Sequence, residues 1–212
     1  MAYDAVLIDA GTGNLHSVQN ALRSLGYSIL VTADPRDVLQ PGRVILPGVG
    51  AFASFMDGLR QDGLDEAVAE VVRRGDPLLG ICVGMQALFE MGEEMGEHPG
   101  LGILAGRVRR FQQPVKLDIP QAGYKIPHTG WNQLWPQKPS ALLAGLEVGA
   151  YAYFNHSYYC AADDGQDIAA STDYGIDFCS VAQRENVHGV QFHPEKSQQV
   201  GKTILANFFG VK

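Results

Sequence analysis

The sequence predicts a three-layer α/β fold in which a mostly parallel central sheet is continued by antiparallel strands. In the first half of the chain, short apolar runs alternate with segments whose apolar residues recur at helical spacing. Such alternation of strands and helices is typical of a parallel sheet with helices on its faces. After about Gly96 the pattern changes to a succession of β-rich segments, which indicates the antiparallel part.

The elements of the first half follow from their apolar patterns. Ala5–Ile8 is a continuous apolar run, as expected for a strand buried on both faces. Val18, Leu22 and Leu25 recur at helical spacing, and Gly26 is expected to end that helix. The other elements predicted here are strands at 29–31, 44–46 and 77–81, one or two helices within 51–74 that break at Gly63, and a helix at 85–91.

The second half is predicted to contain strands and one closing helix. Residues 111–140 are rich in Pro, Gln and Gly and are expected to be irregular. The predicted strands lie at 151–159, 168–172, 178–182 and 187–192, and the closing helix lies at 197–209. No internal repeat, low-complexity tract or long linker divides the sequence, so we expect a single domain over residues 1–212.

Composition excludes several classes of protein. The 212 residues include 16 Lys and Arg against 23 Asp and Glu, and the resulting net charge of −7 argues against nonspecific binding to nucleic acid. The three cysteines, Cys82, Cys160 and Cys179, have no CxxC spacing, so we expect a reducing, cytoplasmic location rather than a disulfide framework. The sequence shows no secretory signal and no apolar stretch long enough to span a bilayer.

The strongest chemical signal is Gly80-Ile81-Cys82-Val83-Gly84, between a predicted buried strand and a predicted helix. A cysteine on such a sharp turn is exposed as a nucleophile, and the start of the helix stabilises its thiolate. The backbone N–H of Val83 would point towards an oxyanion formed there. The alternative interpretation is a small buried cysteine beside glycines that are needed only for packing.

A thiolate nucleophile needs a base, and the base needs a group that orients it. His193 ends an apolar strand, and Glu195 follows two residues later across Pro194. This spacing predicts that the carboxylate holds the imidazole towards Cys82, although the same residues also suit an ordinary polar turn. His16, His98 and His188 have no such partner and are expected at the surface.

A glycine-rich loop, Pro47-Gly48-Val49-Gly50, follows directly after the strand predicted at 44–46. Loops after parallel strands gather at the carboxyl edge of a sheet, so this loop and Cys82 are expected on one rim. The loop is either an ordinary turn or a source of backbone N–H groups for an oxyanion hole. A further glycine-rich turn, residues 11–16, has His16 where a GxGxxG motif has its last glycine, so dinucleotide binding is not expected.

The motifs at 80–86 (Gly-Ile-Cys-Val-Gly-Met-Gln) and 191–197 (Gln-Phe-His-Pro-Glu-Lys-Ser) resemble those of class I, triad-type glutamine amidotransferases, and the resemblance covers essentially the whole chain. Within that family the chain is most similar to the glutaminase subunits of imidazole glycerol phosphate synthases. The segments that indicate this group are 9–18, 47–50, 125–132 and 153–159. The fold that the resemblance implies is the flavodoxin-like class I amidotransferase fold.

The resemblance implies a role for each motif. Cys82 would form a thioester with glutamine, His193 would transfer the proton, and Glu195 would orient the imidazole. The backbone of Val83 and Val49 would stabilise the oxyanion after reorientation of the Gly48–Val49 peptide. The positions that match glutamine-binding residues are Gln86, Glu94, Ser157 and Tyr158. No cofactor and no metal are implied.

The resemblance also implies a partner, a cyclase subunit with a (βα)₈ barrel that forms a heterodimer with this chain and receives its ammonia. A docking surface is expected to carry aromatic residues with a few polar anchors. The candidates on segments beside the predicted rim are Asn14, Lys125, Trp131, Asn132 and Tyr153, although Trp131 and Tyr153 also suit a core.

Other functions remain open. Another cysteine-triad amidotransferase would share the triad and serve a different synthesis, and a γ-glutamyl hydrolase would use the same cysteine turn on a different substrate. A catalytically silent regulatory or scaffold subunit would have no reason to keep Cys82, His193 and Glu195 together. A zinc site on those three residues is disfavoured, since no further ligand has suitable spacing.

Overall fold

The computed structural model describes residues 3–40, 42–112 and 125–211. Residues 113–124, which belong to the segment predicted to be irregular, lie outside these ranges. The strands are β1 (Ala5–Ile8), β2 (Ile29–Thr32), β3 (Arg43–Gly48), β4 (Leu78–Cys82), β5 (Phe89–Gly92), β6 (His98–Pro99), β7 (Leu104–Arg110), β8 (His128–Gln133), β9 (Trp135–Pro136), β10 (Tyr151–His156), β11 (Tyr158–Ala162), β12 (Ile168–Asp173), β13 (Asp177–Arg184) and β14 (Val187–Val190). The helices are α1 (Leu15–Ser24), α2 (Pro35–Val38), α3 (Phe52–Gln61), α4 (Leu64–Arg74), α5 (Val83–Gln86) and α6 (Gln198–Gly210).

The main sheet has a parallel centre and an antiparallel extension, which confirms the predicted fold class. Its central strands run in the order β2–β1–β3–β4–β14, and each neighbouring pair is parallel. β13, β11 and β7 continue the sheet from β14 in antiparallel fashion, and β5 and β6 complete this edge. β8 and β10 form a separate antiparallel sheet.

The helices pack on the parallel centre through their apolar faces. α1 contacts α6, whereas α4 contacts α2 and α3. The predicted break at Gly63 is confirmed, because this residue has φ 70° and separates α3 from α4. α4 carries acidic residues in its first turn and arginines in its last, which suits the helix dipole. Strands β1, β3 and β4 are almost entirely buried beneath these helices.

The helix predicted at 85–91 is wrong. α5 ends at Gln86, and Phe89–Gly92 is a strand that pairs in parallel with β7. The apolar residues Leu88 and Phe89 fit either structure by pattern, and hydrogen bonding with β7 decides between them. The sequence of β7 contains three arginines and gave no strand signal of its own.

The irregular structure predicted for 111–140 is wrong in part, since β8 and β9 lie within it. The strand predicted at 151–159 is two strands that separate at Ser157 and belong to different sheets. Cys160 on β11 and Cys179 on β13 are buried, free and opposite each other in the ladder, as expected for packing residues.

Candidate active site

The turn between β4 and α5 holds Cys82 in an unusual backbone conformation, with φ 56° and ψ −110°. A non-glycine residue in such a region costs about 1–3 kcal/mol and persists only where packing imposes it. Gly84 allows that packing, because a Cβ there would overlap the carbonyl oxygen of Leu46. α5 has only one turn, so a thiolate on Cys82 receives less support from the helix dipole than the predicted helix would give.

The glycine-rich loop after β3 lies directly beside this turn. Gly48 is the register partner of Cys82 in the parallel β3–β4 pair. A Cβ on Gly48 would lie 2.7 Å from the backbone nitrogen of Gly84, so the two loops approach closely through glycines. Val49 and Val83 therefore lie close together, and both line the cavity at Cys82.

His193 follows β14, the next strand of the parallel array, and is 4% exposed. Its Nδ1 donates to Oε1 of Glu195 at 3.0 Å, which leaves Nε2 for Cys82. Burial alone would lower the pKa of His193, but hydrogen bonds to Cys82 and Glu195 and the negative charges of both groups raise it to about 10. His193 therefore holds a proton at neutral pH beside the sulfur.

Glu195 is held by a short 3₁₀ turn, Pro194–Lys196, and its side chain is only 1% exposed. The turn is fixed by Ser197, whose Oγ donates to the carbonyl oxygen of His193 at 2.7 Å and accepts from the backbone of Tyr153 at 2.9 Å. Asn14 donates from Nδ2 to Oε1 of Glu195 at 3.5 Å. Asn14, predicted only as an interface residue, thus also reaches the carboxylate that orients His193.

Cys82 and His193 open onto a cavity of about 290 Å³. This volume is at the lower end of the range for small-molecule sites and suits a single amino acid. All four residues predicted to bind glutamine line it, which brings them together with the predicted nucleophile and base. The lining residues are Val49, Gly50, Cys82, Val83, Gln86, Glu94, Pro127, Asn155, His156, Ser157, Tyr158, His193 and Lys196.

Two of these lining residues have part of their hydrogen-bonding capacity occupied within the protein. Oε2 of Glu94 accepts from the backbone nitrogen of Phe52, the first residue of α3, at 2.7 Å. Nε2 of Gln86 donates to the carbonyl oxygen of Tyr158 at 3.0 Å and to Oε1 of Gln191 at 3.2 Å. The second oxygen of Glu94 and Oε1 of Gln86 are therefore the atoms that suit a positively charged group of a ligand.

The aromatic interface candidates lie on the β8–β10 sheet and not in the core. Trp131 is 46% exposed and contacts the half-buried Tyr153 across the two strands, edge to face at 6.0 Å between ring centroids. Lys125 is exposed. Asn132 is half-buried and donates to the carbonyl oxygen of Asp173 at 2.8 Å, so part of its role is internal.

Sequence reasoning missed a buried pair of histidines at the cavity, one of which, His156, lines it. His128 Nδ1 and His156 Nε2 are 2.9 Å apart, and Nδ1 of His156 contacts the carbonyl oxygen of Tyr158 at 2.8 Å. Burial lowers the pKa of His128 to about 4 and that of His156 to about 3. Both histidines stand within segments that the sequence singled out, but nothing in their spacing indicated that the two rings meet.

His188 corrects another expectation, because it lies in β14 and is 1% exposed rather than at the surface. Burial lowers its pKa to about 4. Gln191, also missed, contacts Cys82, and its place two residues before His193 was the available signal. In the described part of the chain, no cluster of three or more His, Cys, Asp or Glu is arranged to hold a metal, and no helix is long and apolar enough to cross a membrane.

Comparison with protein families gives a match to the model of glutamine amidotransferase class-I over residues 6–211. The imidazole glycerol phosphate synthase subunit HisH of Syntrophotalea carbinolica is 49% identical over 203 residues, which cover 96% of this chain and 98% of that protein. The subunit of the same name from Geobacter sulfurreducens is 45% identical over 97% of this chain and 98% of its own length.

Solved structures with the same architecture have diverged further in sequence. A crystal structure described as a glutamine amidotransferase superposes with a TM-score of 0.73 at 20% identity, and the match covers 97% of each chain. A chain of PurLQS from Thermotoga maritima superposes with a TM-score of 0.72 at 16% identity over 99% of each chain. At these identities the likeness concerns the fold.

Proposed function

Since the chain belongs to the class-I glutamine amidotransferase family, we propose that it is the glutaminase subunit of an imidazole glycerol phosphate synthase. It hydrolyses glutamine to glutamate and ammonia and delivers the ammonia to a cyclase subunit for histidine biosynthesis. The observation that carries this proposal is the buried line Cys82–His193–Glu195 at the cavity, in a chain with full-length HisH relatives at 45–49% identity.

The reaction begins with the proton already on His193, as its raised pKa requires. The Cys82 sulfur attacks the side-chain amide carbon of glutamine, and a C–S bond forms as the carbonyl becomes a tetrahedral oxyanion. His193 gives its proton to the amide nitrogen, the C–N bond breaks and ammonia leaves. His193 then takes a proton from water, which attacks the thioester to release glutamate and restore the thiolate.

Three further parts support these steps. Glu195 keeps the imidazole oriented and stabilises its positive charge through the bond to Nδ1. The N–H groups of Val83 and Val49 stabilise the oxyanion, the second after reorientation of the Gly48–Val49 peptide. The glutamine head group is held by Gln86, Glu94, Ser157 and Tyr158, with the oxygens of Gln86 and Glu94 receiving its ammonium group.

The partner is a (βα)₈-barrel cyclase that forms a heterodimer with this chain in the cytoplasm. Trp131 and Tyr153 are its central contacts, and Asn14, Lys125 and Asn132 lie around them. The exposed indole of Trp131 and the position of Lys196 support this surface. Lys196 lines the cavity, and its Nζ also lies 5.7 Å from the ring of Tyr153, so the aromatic patch adjoins the candidate active site.

The test measures glutamate release by the chain alone and then with the cyclase and its nucleotide ligand. We expect a strong rise only when partner and ligand are both present. In the complex, Cys82→Ala should abolish glutamine-dependent synthesis and leave ammonia-dependent synthesis intact. High activity of the chain alone, or activity on γ-glutamyl peptides, would instead indicate a free-standing hydrolase. Full glutaminase activity of Cys82→Ala would overturn the mechanism.

A further inference from the structure

Gln191 occupies a fully buried position between three polar groups of the candidate active site. It lies just beyond β14, and its backbone N–H still donates to the carbonyl oxygen of Ser180 at 2.9 Å. Alternate residues of an extended chain project to the same face, so Gln191 and His193 both direct their side chains at Cys82. One strand end thus supplies the sulfur with two neighbours.

The side-chain amide of Gln191 uses both of its ends. Its Nε2 donates to the sulfur of Cys82 at 3.8 Å. Its Oε1 accepts from Nε2 of Gln86 at 3.2 Å and from the thiol of Cys160 at 3.8 Å. A buried amide with this set of contacts has little freedom to rotate, because each contact would be lost without replacement.

The neighbours of Gln191 also decide which end of the amide faces Cys82. Nε2 of Gln86 can only donate, so it requires an oxygen opposite it. Burial, with smaller contributions from the neighbouring cysteines, raises the pKa of Cys160 well above its usual value, so Cys160 remains a thiol and a second donor. Both donors meet Oε1, and the NH₂ group is thereby turned towards the sulfur of Cys82.

We propose that Gln191 is a positioning residue for Cys82, held in its working orientation by Gln86 and by the thiol of Cys160. Its N–H keeps the sulfur in line with His193 and stabilises the thiolate, since a hydrogen bond to the charged form of a group favours that form. The same amide contacts Gln86, so a single side chain fixes the position of the nucleophile relative to a residue that lines the glutamine pocket. The catalytic consequence rests on the proposed glutaminase function.

The test uses Gln191→Met, which keeps the length of the side chain and removes the donor. Alkylation of Cys82 by iodoacetamide is followed by mass spectrometry over a pH series on the full chain. We expect alkylation of Cys82 to be about threefold slower than in the parent at neutral pH, with a difference that depends on pH, since a charge-assisted hydrogen bond to the sulfur is lost. We expect kcat of the cyclase complex to fall about tenfold, with the melting temperature as a check on folding. An unchanged alkylation profile in a folded variant would overturn the inference.

Cysteine variants test the orientation and remain informative if Gln191→Met does not fold. Cys160→Ala should lower the alkylation rate of Cys82 at neutral pH about threefold, and Cys160→Ser should restore it, because a hydroxyl donates in place of the thiol. Cys179→Ala is the matched control, since this thiol is equally buried and lies opposite Cys160 in the ladder. Equal effects of Cys160→Ala and Cys179→Ala would contradict the proposal.

Alkylation needs no glutamine and no partner, so its outcome is independent of the proposed function. An inactive parent complex with the expected alkylation profiles would refute the function and keep the positioning role. An active parent complex in which Gln191→Met leaves the alkylation of Cys82 unchanged would refute the positioning role and keep the function.

Discussion

His193 and the pair His128–His156 are all buried, yet their pKa values are shifted in opposite directions. The pKa of His193 is raised to about 10, whereas the pKa values of His128 and His156 are lowered to about 4 and 3. Burial acts in the same direction on all three rings, since it disfavours the charged imidazolium. The difference comes from their neighbours, because His193 lies beside the negative charges of Glu195 and Cys82, whereas each ring of the pair lies beside a second neutral ring.

In this chain, a buried histidine is therefore protonated at neutral pH only where negatively charged groups lie beside it. His128 stacks with Phe154 and Tyr174, and the pair acts as a neutral part of the core. His193 instead faces Glu195 and Cys82.

Glu195→Gln removes the negative charge that distinguishes His193 from the pair. We expect kcat for glutaminase activity to fall about 10³- to 10⁴-fold, because the imidazolium loses its stabilising partner and its orientation. The pH–rate profile should also move to lower pH, since the pKa of His193 falls without Glu195. Steady-state kinetics of the cyclase complex measure both effects. His188→Leu is the control, and a similar loss there would contradict the assignment.

Acid should destabilise the chain through its neutral histidines. The pKa values of His128, His156 and His188 in the folded state, about 4, 3 and 4, lie below the 6.5 of an unperturbed imidazole. The unfolded chain therefore binds more protons below pH 6.5, and the free energy of unfolding falls as the pH drops from 6.5 to 4. The loss is on the order of 3 kcal/mol for His188, and urea unfolding at several pH values measures it.

His188→Leu tests how much His188 contributes to the loss of stability in acid. Neither ring nitrogen of His188 has a hydrogen-bond partner among the described residues, so an apolar side chain of similar size suits its site. We expect the variant to lose stability less steeply below pH 6.5. His193 has the opposite sign, because its raised pKa contributes stability below pH 6.5 that is lost as the pH rises through about 10. If the free energy of unfolding fell equally steeply below pH 6.5 in parent and variant, the role of His188 would be contradicted.

A double-mutant cycle on the histidine pair tests whether its two rings act as one unit. His128→Phe keeps the stacking with Phe154 and leaves Nε2 of His156 without its partner. This should cost about 1–3 kcal/mol of unfolding free energy. His128→Phe/His156→Phe should cost less than the sum of the two single changes. Additive losses in urea unfolding would show that the 2.9 Å contact contributes nothing.

Asn14→Ala should have the smallest effect, a fall in kcat of about threefold, since its 3.5 Å contact with Glu195 is long for a hydrogen bond. The measurement is made on the chain alone and on the complex. A fall in both indicates a role through Glu195, whereas a fall only in the complex indicates the docking surface. Asn14→Asp, which places a second carboxylate beside Glu195, should reduce kcat further.

The parallel half of the fold was predictable because its signals are local. The apolar run Ala5–Ile8 forms β1, and Gly63 separates α3 from α4 as expected. β5 and β8 were missed because pairing with distant strands decides their conformation, and Phe89–Gly92 becomes a strand only through β7.

The chemistry of the site was predictable where residue types and spacing carry it, as for Cys82 and for His193 with Glu195. The sequence could not show that Cys160 and Gln86 turn the amide of Gln191 towards the sulfur, because these contacts join residues far apart in the chain. The meeting of His128 and His156 depends in the same way on the register of β8 and β10.

The backbone at Cys82 has a consequence for the evolution of this chain. A side chain at φ 56° and ψ −110° costs about 1–3 kcal/mol, which a glycine there would recover apart from about 0.5–1 kcal/mol of its own entropy. Selection for thermal stability alone would therefore remove the sulfur from position 82. The residue that suits the fold and the residue that suits the chemistry differ at this position, and a stabilised design of this chain must leave it untouched.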